Sequence, residues 1–453
     1  MLGVLIAAIV TVWVGYLLFK EYKAQAVIFV AGIILLSCAI WMGKPIIAVK
    51  QSMGFAWLDI FKVIEDLLSN RVAGLGLMIM SVAGFVRYMD HIGASEAFVH
   101  LGVKPLKFFH SPYIVLALAF IIGQMMKIAI ISAAGLGLLL MATMFPILMG
   151  LGVSRLSAAA VIVTSSCVDL GPAAATSQLV AKNAGIDVVT YVTQYQIIVA
   201  IPVILTVAIL HYFVQQWFDK KAGHIAVRSE VTATQVVTGQ TPPLLYAFLP
   251  LLPIVLIFIF SPILGSKIRM SVIAAMLIGM FVSMVLEYIR CRDYRKVAQS
   301  IQKFFDGMGS SFATVVTLII AAETFAAGLT AVGAIDTIIK STQTAGFGDH
   351  AMILVMQSVV AGAAVVTGSG DASIFSFAAL APTMAKQMGI DPVHMLLPMQ
   401  FAATAARSLS PVSAVCIAVA GLAMVSPMDV AKRTAIPMVG ALIVTTIANF
   451  FLL

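Results

Sequence analysis

The sequence predicts an all-helical polytopic membrane protein built as an inverted repeat, each half holding five membrane spans and one re-entrant hairpin. Three observations lead there: an apolar composition, basic residues that fall between apolar runs, and two matched glycine–serine breaks. Of 453 residues, 61% are hydrophobic and 10% charged, and mean hydropathy is +1.07. Soluble proteins carry roughly 25% charged residues, and a soluble fold of this size could not cover its surface with so few. The net charge of +8 is too thin for a nucleic-acid footprint and fits the cytoplasmic bias of a membrane protein. The cysteines Cys38, Cys167, Cys291 and Cys416 form no CxxC or Cys/His cluster that would hold zinc or a redox pair.

Taken in order, apolar runs near 3–19, 26–43, 72–88, 154–180, 188–215, 244–263, 270–289, 308–332, 393–421 and 434–453 reach the roughly 17–25 residues a spanning helix needs. The first lacks a basic leader and a cleavage site, so it reads as a retained span. Two further runs, 112–149 and 349–388, are long enough to cross twice but break in the middle, at Ser132-Ala133-Ala134-Gly135-Leu136-Gly137 and at Thr367-Gly368-Ser369-Gly370-Asp371-Ala372-Ser373. Backbone leaves the helix at membrane depth only where protein or a watery cavity surrounds it, so both read as re-entrant hairpins.

Basic residues orient the layout. Lys20, Lys23, Arg87, His91, Lys104, Lys107, Lys220, Lys221, Arg228, Arg290, Arg292, Arg295, Lys296, Lys432 and Arg433 share one side if the N-terminus is outside and each hairpin returns to its own side. Both termini are then periplasmic, and the loops 44–71, 181–187, 264–269 and 333–348 fall outside. The polar stretch 216–243 becomes a cytoplasmic linker between a first repeat, 1–215, and a second, 244–453. Five spans per half is odd, which inverts the second half. The spacing agrees: Ser132 to Gly152 and Ser369 to Gly389 are both 20 positions apart, and each interval holds a proline, Pro146 or Pro382. Gly93-Ala94 pairs with Gly333-Ala334, and Thr164-Ser165-Ser166…Pro172 pairs with Thr404…Ser408-Leu409-Ser410-Pro411, giving broken spans 154–180 and 393–421. Inverted repeats with paired broken helices mark secondary transporters whose site lies at the repeat interface.

Helices that stop inside the membrane present unpaired N–H groups and the positive end of a dipole, which suits a small anion. Ser132, Ser369, Gly370, Thr164, Ser165, Ser166, Ser408 and Ser410 supply donors and close backbone approach. Arg407 adds a planar fork that grips a carboxylate at two points; the competing reading is an arginine capping helix carbonyls. Small residues also have a plain packing role, and most of the 33 glycines serve it. Asp169, Glu323, Asp371 and Lys127 sit at depth in otherwise apolar sequence. A carboxylate there can carry a coupling proton, Asp371 could ligate sodium, and Lys127 could neutralise Asp169 or Asp371 as a structural pair. No cofactor is implied; a coupling ion, sodium or proton, is left open.

The stretches SNRVAGLGLMIM (69–80), SPYIV (111–115), SAAGLGLLLMATMFP (132–146), GVSRLSAAA (152–160), FFDGMG (304–309), ARSLSPVSAV (406–415) and SPMDVAKRTAIPM (426–438) together resemble the anaerobic four-carbon dicarboxylate carrier family, over almost the full chain. The resemblance implies a bacterial inner-membrane carrier that exchanges or moves fumarate, succinate, malate and aspartate. It implies a homodimeric elevator whose hairpins and broken spans move together. It assigns the substrate role to Ser132, Gly135, Gly137, Ser369, Gly370, Arg407, Ser408, Ser410 and Pro411. Asp371 stands where that pattern has asparagine, and Lys127 where it has a small or neutral residue. A carboxylate at 371 repels a dianion unless protonated or paired, so an amino acid or other zwitterion is the alternative substrate.

Other classes fare worse. Gly368-Ser369-Gly370-Asp371 matches the G-x-G-D string of intramembrane aspartyl proteases, but their Tyr-Asp partner span and Pro-Ala-Leu stretch are missing. A passive channel does not need paired hairpins, and no GxxxxGK[ST] motif supports ATP-driven transport.

Overall fold

The fold is that of a computed structural model describing residues 2–20, 22–109, 111–224, 243–261, 266, 268, 270–334, 337 and 348–453. Arg228, most of the linker 216–243, and most of the loops 264–269 and 333–348 lie outside the described residues. Those described form helices and turns with no strand. Among them, eight helices are long and apolar enough to cross a membrane: Ala24–Trp41, Ala56–His91, Ala133–Gly150, Val188–Lys221, Val272–Cys291, Tyr294–Ala331, Asp349–Thr367 and Pro427–Leu452. Leu2–Leu17, Pro112–Met126, Arg155–Thr164, Leu244–Ile259 and Ala414–Ala423 are shorter apolar helices.

Two runs differ from the sequence reading. The third span is not 72–88 with a loop before it but one helix from Ala56 to His91, and the eighth runs from Tyr294 to Ala331 rather than 308–332. Their first halves are amphipathic, so a search for uniformly apolar runs passes over them. On Ala56–Arg71 the charges pair along one face, with Lys62 Nζ 3.0 Å from Asp66 and 3.5 Å from Glu65, while Trp57, Leu58 and Phe61 are exposed. Each long helix passes through one π turn, Val72–Gly76 and Phe312–Val316, and these two turns touch each other. Arg71 ends the first amphipathic half and sets its Nε 2.7 Å from the Glu323 carboxylate. The predicted linker also shortens: Val188–Lys221 is helical to its end, so the first six residues of 216–243 belong to a helix.

Both predicted hairpins are helix–break–helix units, though the first break moves. Pro112–Met126 ends at Lys127, and Ala133–Gly150 starts immediately after Ser132. The turn is therefore 127–132, and Gly135 and Gly137 lie inside the returning helix. Asp349–Thr367 ends at Gly368, and Gly370–Phe377 and Ala381–Met388 return. The matched serines do the same thing in both places: each caps its returning helix. Ser132 Oγ accepts from Gly135 N–H and Ser369 Oγ from Ala372 N–H, both at 3.1 Å, satisfying one of the orphan donors of a helix start. Gly368 has φ +68°, and a Cβ on it would lie 2.8 Å from Val412 O, so no other residue fits that turn without displacing the neighbouring break.

The two broken spans sit at the centre. Arg155–Thr164 and Pro392–Arg407 are buried on nearly every face, as expected of helices apolar all round. Each resumes after a break, as Ala175–Ala184 and Ala414–Ala423. Gly370 packs its Cα so closely on Pro392–Arg407 that a Cβ would meet Ala403 O at 2.7 Å. A buried polar cluster ties the start of the first broken span to its neighbours. Ser157 Oγ donates to Asp219 at 2.9 Å and Ser154 Oγ at 2.7 Å, and Arg433 pairs with the same carboxylate.

Candidate transport site

The second break is short and leaves its arginine poised. Arg407 is the last residue of Pro392–Arg407 and is 7% exposed. Its Nη2 donates to Ser166 O at 2.6 Å and to Ser166 Oγ at 3.3 Å, so the arginine of one break grips the backbone of the other. Its Nε is buried without a hydrogen-bond partner, and Nη1 has none among the described residues. Part of a planar donor fork is thus left for a ligand.

The first break is long, 165–174, and carries many backbone groups that cannot reach water. Three buried glutamines meet them, because an amide supplies both donor and acceptor. Gln124 donates to Val168 O at 2.6 Å and accepts from Val168 N–H at 3.3 Å. Gln196 donates to Asp169 O at 2.8 Å and accepts from Gly171 N–H at 3.0 Å. Gln400 reaches Asp169 O at 3.2 Å and is held in turn by Tyr191. Nothing in the sequence reading singled these out, although a glutamine inside an apolar run is itself a signal that backbone nearby needs a partner.

Within that frame the charges sort themselves. Lys127 Nζ lies 2.8 Å from Asp169 Oδ1 and also donates to Ile131 O, so the lysine pairs with Asp169 rather than Asp371. Thr176 Oγ1 donates to Asp169 Oδ2 at 3.2 Å. Asp371, in the first turn of Gly370–Phe377, has no hydrogen-bond or ion-pair partner among the described residues.

A cavity of about 670 Å³ joins these groups; Lys127, Ser132, Asp169, Ser369, Asp371 and Arg407 all line it. Ser166 contributes through Arg407. The remaining residues expected at the site from the sequence have other neighbours. Thr164 Oγ1 contacts His211 at 2.7 Å, and Ser165 Oγ donates to Val161 O at 2.9 Å. Ser408 Oγ turns back to Thr404 O, and Ser410 Oγ donates to Val365 O at 2.7 Å. Gly135 sits in its helix beside the Ser132 cap, Gly137 packs on Val415, and Gly370 packs on Ala403. Glu323 pairs with Arg71, away from the cavity lining. The opposite wall, which sequence reading missed, is the paired long helices: Arg87 and Asp90 from one, Asp306, Ser310 and Thr314 from the other.

A half-open cavity where charged groups from four helix interruptions meet, in a chain of helices long and apolar enough to span a membrane, is the arrangement of a membrane carrier. The chain belongs to the family described as the C4-dicarboxylate anaerobic carrier, DcuC, whose profile matches residues 2–453. It is 36% identical over 446 residues to the anaerobic C4-dicarboxylate transporter DcuC of Escherichia coli, covering 98% of this chain and 95% of that one. It is 34% identical over 454 residues to the probable DcuC of Vibrio cholerae, covering 100% and 98%. Among solved structures, its fold is similar to Neisseria gonorrhoeae MtrF, described as one of a class of antimetabolite efflux pumps, with TM-score 0.64, 12% identity and 94% of each chain covered. It is also similar to the Alcanivorax borkumensis YdaH transporter, with TM-score 0.60, 15% identity and 93% and 97% covered.

Proposed function

We propose that this chain is a secondary carrier of four-carbon dicarboxylates such as fumarate, succinate, malate and aspartate, working in the bacterial inner membrane by exchange or cation-coupled alternating access. The observation that carries the reading is the cavity in which both hairpin turns and both broken spans present polar groups, with Arg407 keeping buried donors free. One substrate carboxylate is held by Arg407, Ser369 and the Gly370–Phe377 dipole, and Ser132 serves from the facing turn.

Charge arithmetic sets the coupling. Lys127, Arg407, Asp169 and Asp371 sum to zero, so a bound dianion leaves an excess of negative charge that the low-dielectric interior penalises heavily. Exchange for another dianion, or co-bound protons or sodium, removes it, and Asp371, unpaired in the cavity, is the residue to receive the cation. A zwitterion is favoured by that same observation: its ammonium group would pair with Asp371 while Arg407 takes a carboxylate.

The inverted repeat belongs to this reading. Gly93 and Gly333 are both left-handed, with φ of +78° and +75°, and so are Gly152 and Gly389, at +86° and +75°. With the two capping serines and the π turns of the paired long helices, these matched devices support repeats at 1–215 and 244–453. In the proposed cycle the hairpins 112–149 and 349–388 and the broken spans move as a unit against the paired long helices, in a homodimer with both termini periplasmic. Uptake of labelled dicarboxylates and amino acids into proteoliposomes, under separate sodium and proton gradients, tests the function. Saturable dicarboxylate uptake is expected, and its absence for every four-carbon diacid would contradict it.

A further inference from the structure

The cavity wall built by the paired long helices carries an unassigned cation. Along Leu77–His91 the lining residues Ile79, Val82, Ala83, Val86, Arg87 and Asp90 follow helical spacing, so the cavity runs along one face of that helix for roughly 16 Å. One end holds Arg87 and Asp90, both exposed; the lining residues Ser132, Ser310, Thr314 and Ala414 are exposed as well, whereas Lys127, Asp169 and Arg407 are buried. The mouth therefore extends along one side of the cavity, and Arg87 stands at one end of it. Three charges flank that end, and two have partners. Asp90 accepts from Ser95 Oγ at 2.6 Å, and Asp306 accepts from Gln302 at 3.0 Å with Lys303 Nζ 4.0 Å away. Arg87 lies one helix turn from Asp90 and interacts with it electrostatically, but makes no direct hydrogen bond or ion pair among the described residues.

Resting on the carrier reading above, we infer that Arg87 is a side-selective substrate-capturing residue: it receives the dicarboxylate at the mouth and passes it to Arg407. With Asp90 and Asp306 beside it, this end carries no net positive charge, so Arg87 acts by contact: its guanidinium can grip one substrate carboxylate at two points. Arg87 stands on a helix outside both hairpins and both breaks, so it can meet the substrate only in the conformation that opens this mouth. Its effect falls on one membrane face.

The test uses Arg87→Ala and Arg87→Lys in the full chain, with labelled succinate, in right-side-out and inside-out vesicles. For Arg87→Ala, KM at one face rises about 10-fold, the loss of one charge-assisted contact. KM at the other face and Vmax stay within about twofold, the split expected when association rather than the moving step is impaired. Arg87→Lys restores part of the KM. Equal KM changes at both faces, no change at either, or a loss confined to Vmax would overturn the inference while leaving the carrier reading intact. No saturable succinate uptake by the unsubstituted chain at either face would overturn both.

Discussion

The two breaks that meet at the cavity solve the same problem in opposite ways. In the first, 165–174, the charge and several backbone groups are answered by neighbouring side chains: Asp169 by Lys127 and Thr176, and the peptide groups of Val168, Asp169 and Gly171 by Gln124, Gln196 and Gln400. Around the second, Asp371 stands unpaired and Arg407 keeps a buried Nε without a partner. A closed network in a low-dielectric interior rigidifies its surroundings, whereas an open one stays available to a ligand. In the proposed carrier the first break is the clamp that shapes the site, and the second break with the neighbouring hairpin supplies the groups that would recognise what enters it. The bond from Arg407 Nη2 to Ser166 O, at 2.6 Å, lets the clamp hold the recognising group in place.

That division can be broken from either side. The largest stability effect belongs to the clamp. Lys127→Ala leaves Asp169 buried and uncompensated, a change that costs about 3–5 kcal/mol; thermal unfolding in detergent should show the loss, and Lys127→Ala with Asp169→Ala should recover a good part of it. If the single variant is as stable as the parent, the pair is not what holds the break. Next comes Gln196→Leu, which strips the partner from Gly171 N–H and one of the two donors, the other being Gln400, from Asp169 O and should destabilise by about 1–3 kcal/mol. A stability change near zero is expected for Asp371→Asn, because nothing pairs with that carboxylate. Its effect lies in recognition: competition assays should show preference moving from zwitterions toward dicarboxylates by about 5- to 150-fold, the equivalent of about 1–3 kcal/mol for one charged contact. An unchanged competition profile would assign Asp371 to structure.

Much of this site is legible in the residues themselves, and the parts that are not share a cause. Gly368-Ser369-Gly370 and Ser132 point to a turn because each sits in the middle of an apolar run long enough to cross twice, at matched places in the two halves. Arg407 announces itself by depth. The glutamines escape notice because an amide carries no charge and blends into a helix until its partner backbone, more than 40 positions away for Gln124 and Val168, is brought alongside. The wall formed by Arg87 and Asp306 escapes for another reason. Asp306 lies in the amphipathic half Tyr294–Ser311, which reads as loop because it is not uniformly apolar, and Arg87, inside the expected span 72–88, reads only as a marker of the cytoplasmic side. Gly135 and Gly137 illustrate the reverse error, since a helix that starts at Ala133 simply absorbs them.

Calorimetric titration of the purified protein with succinate, alongside Arg407→Ala and Arg407→Lys, tests the central claim most directly. Removing a buried group that pairs with a ligand charge costs about 2–5 kcal/mol, so Arg407→Ala should bind at least about 30-fold more weakly, with Arg407→Lys intermediate, while both variants remain folded by thermal unfolding. Succinate binding by a folded Arg407→Ala protein with the parent's affinity would show that the second break does not recognise the substrate.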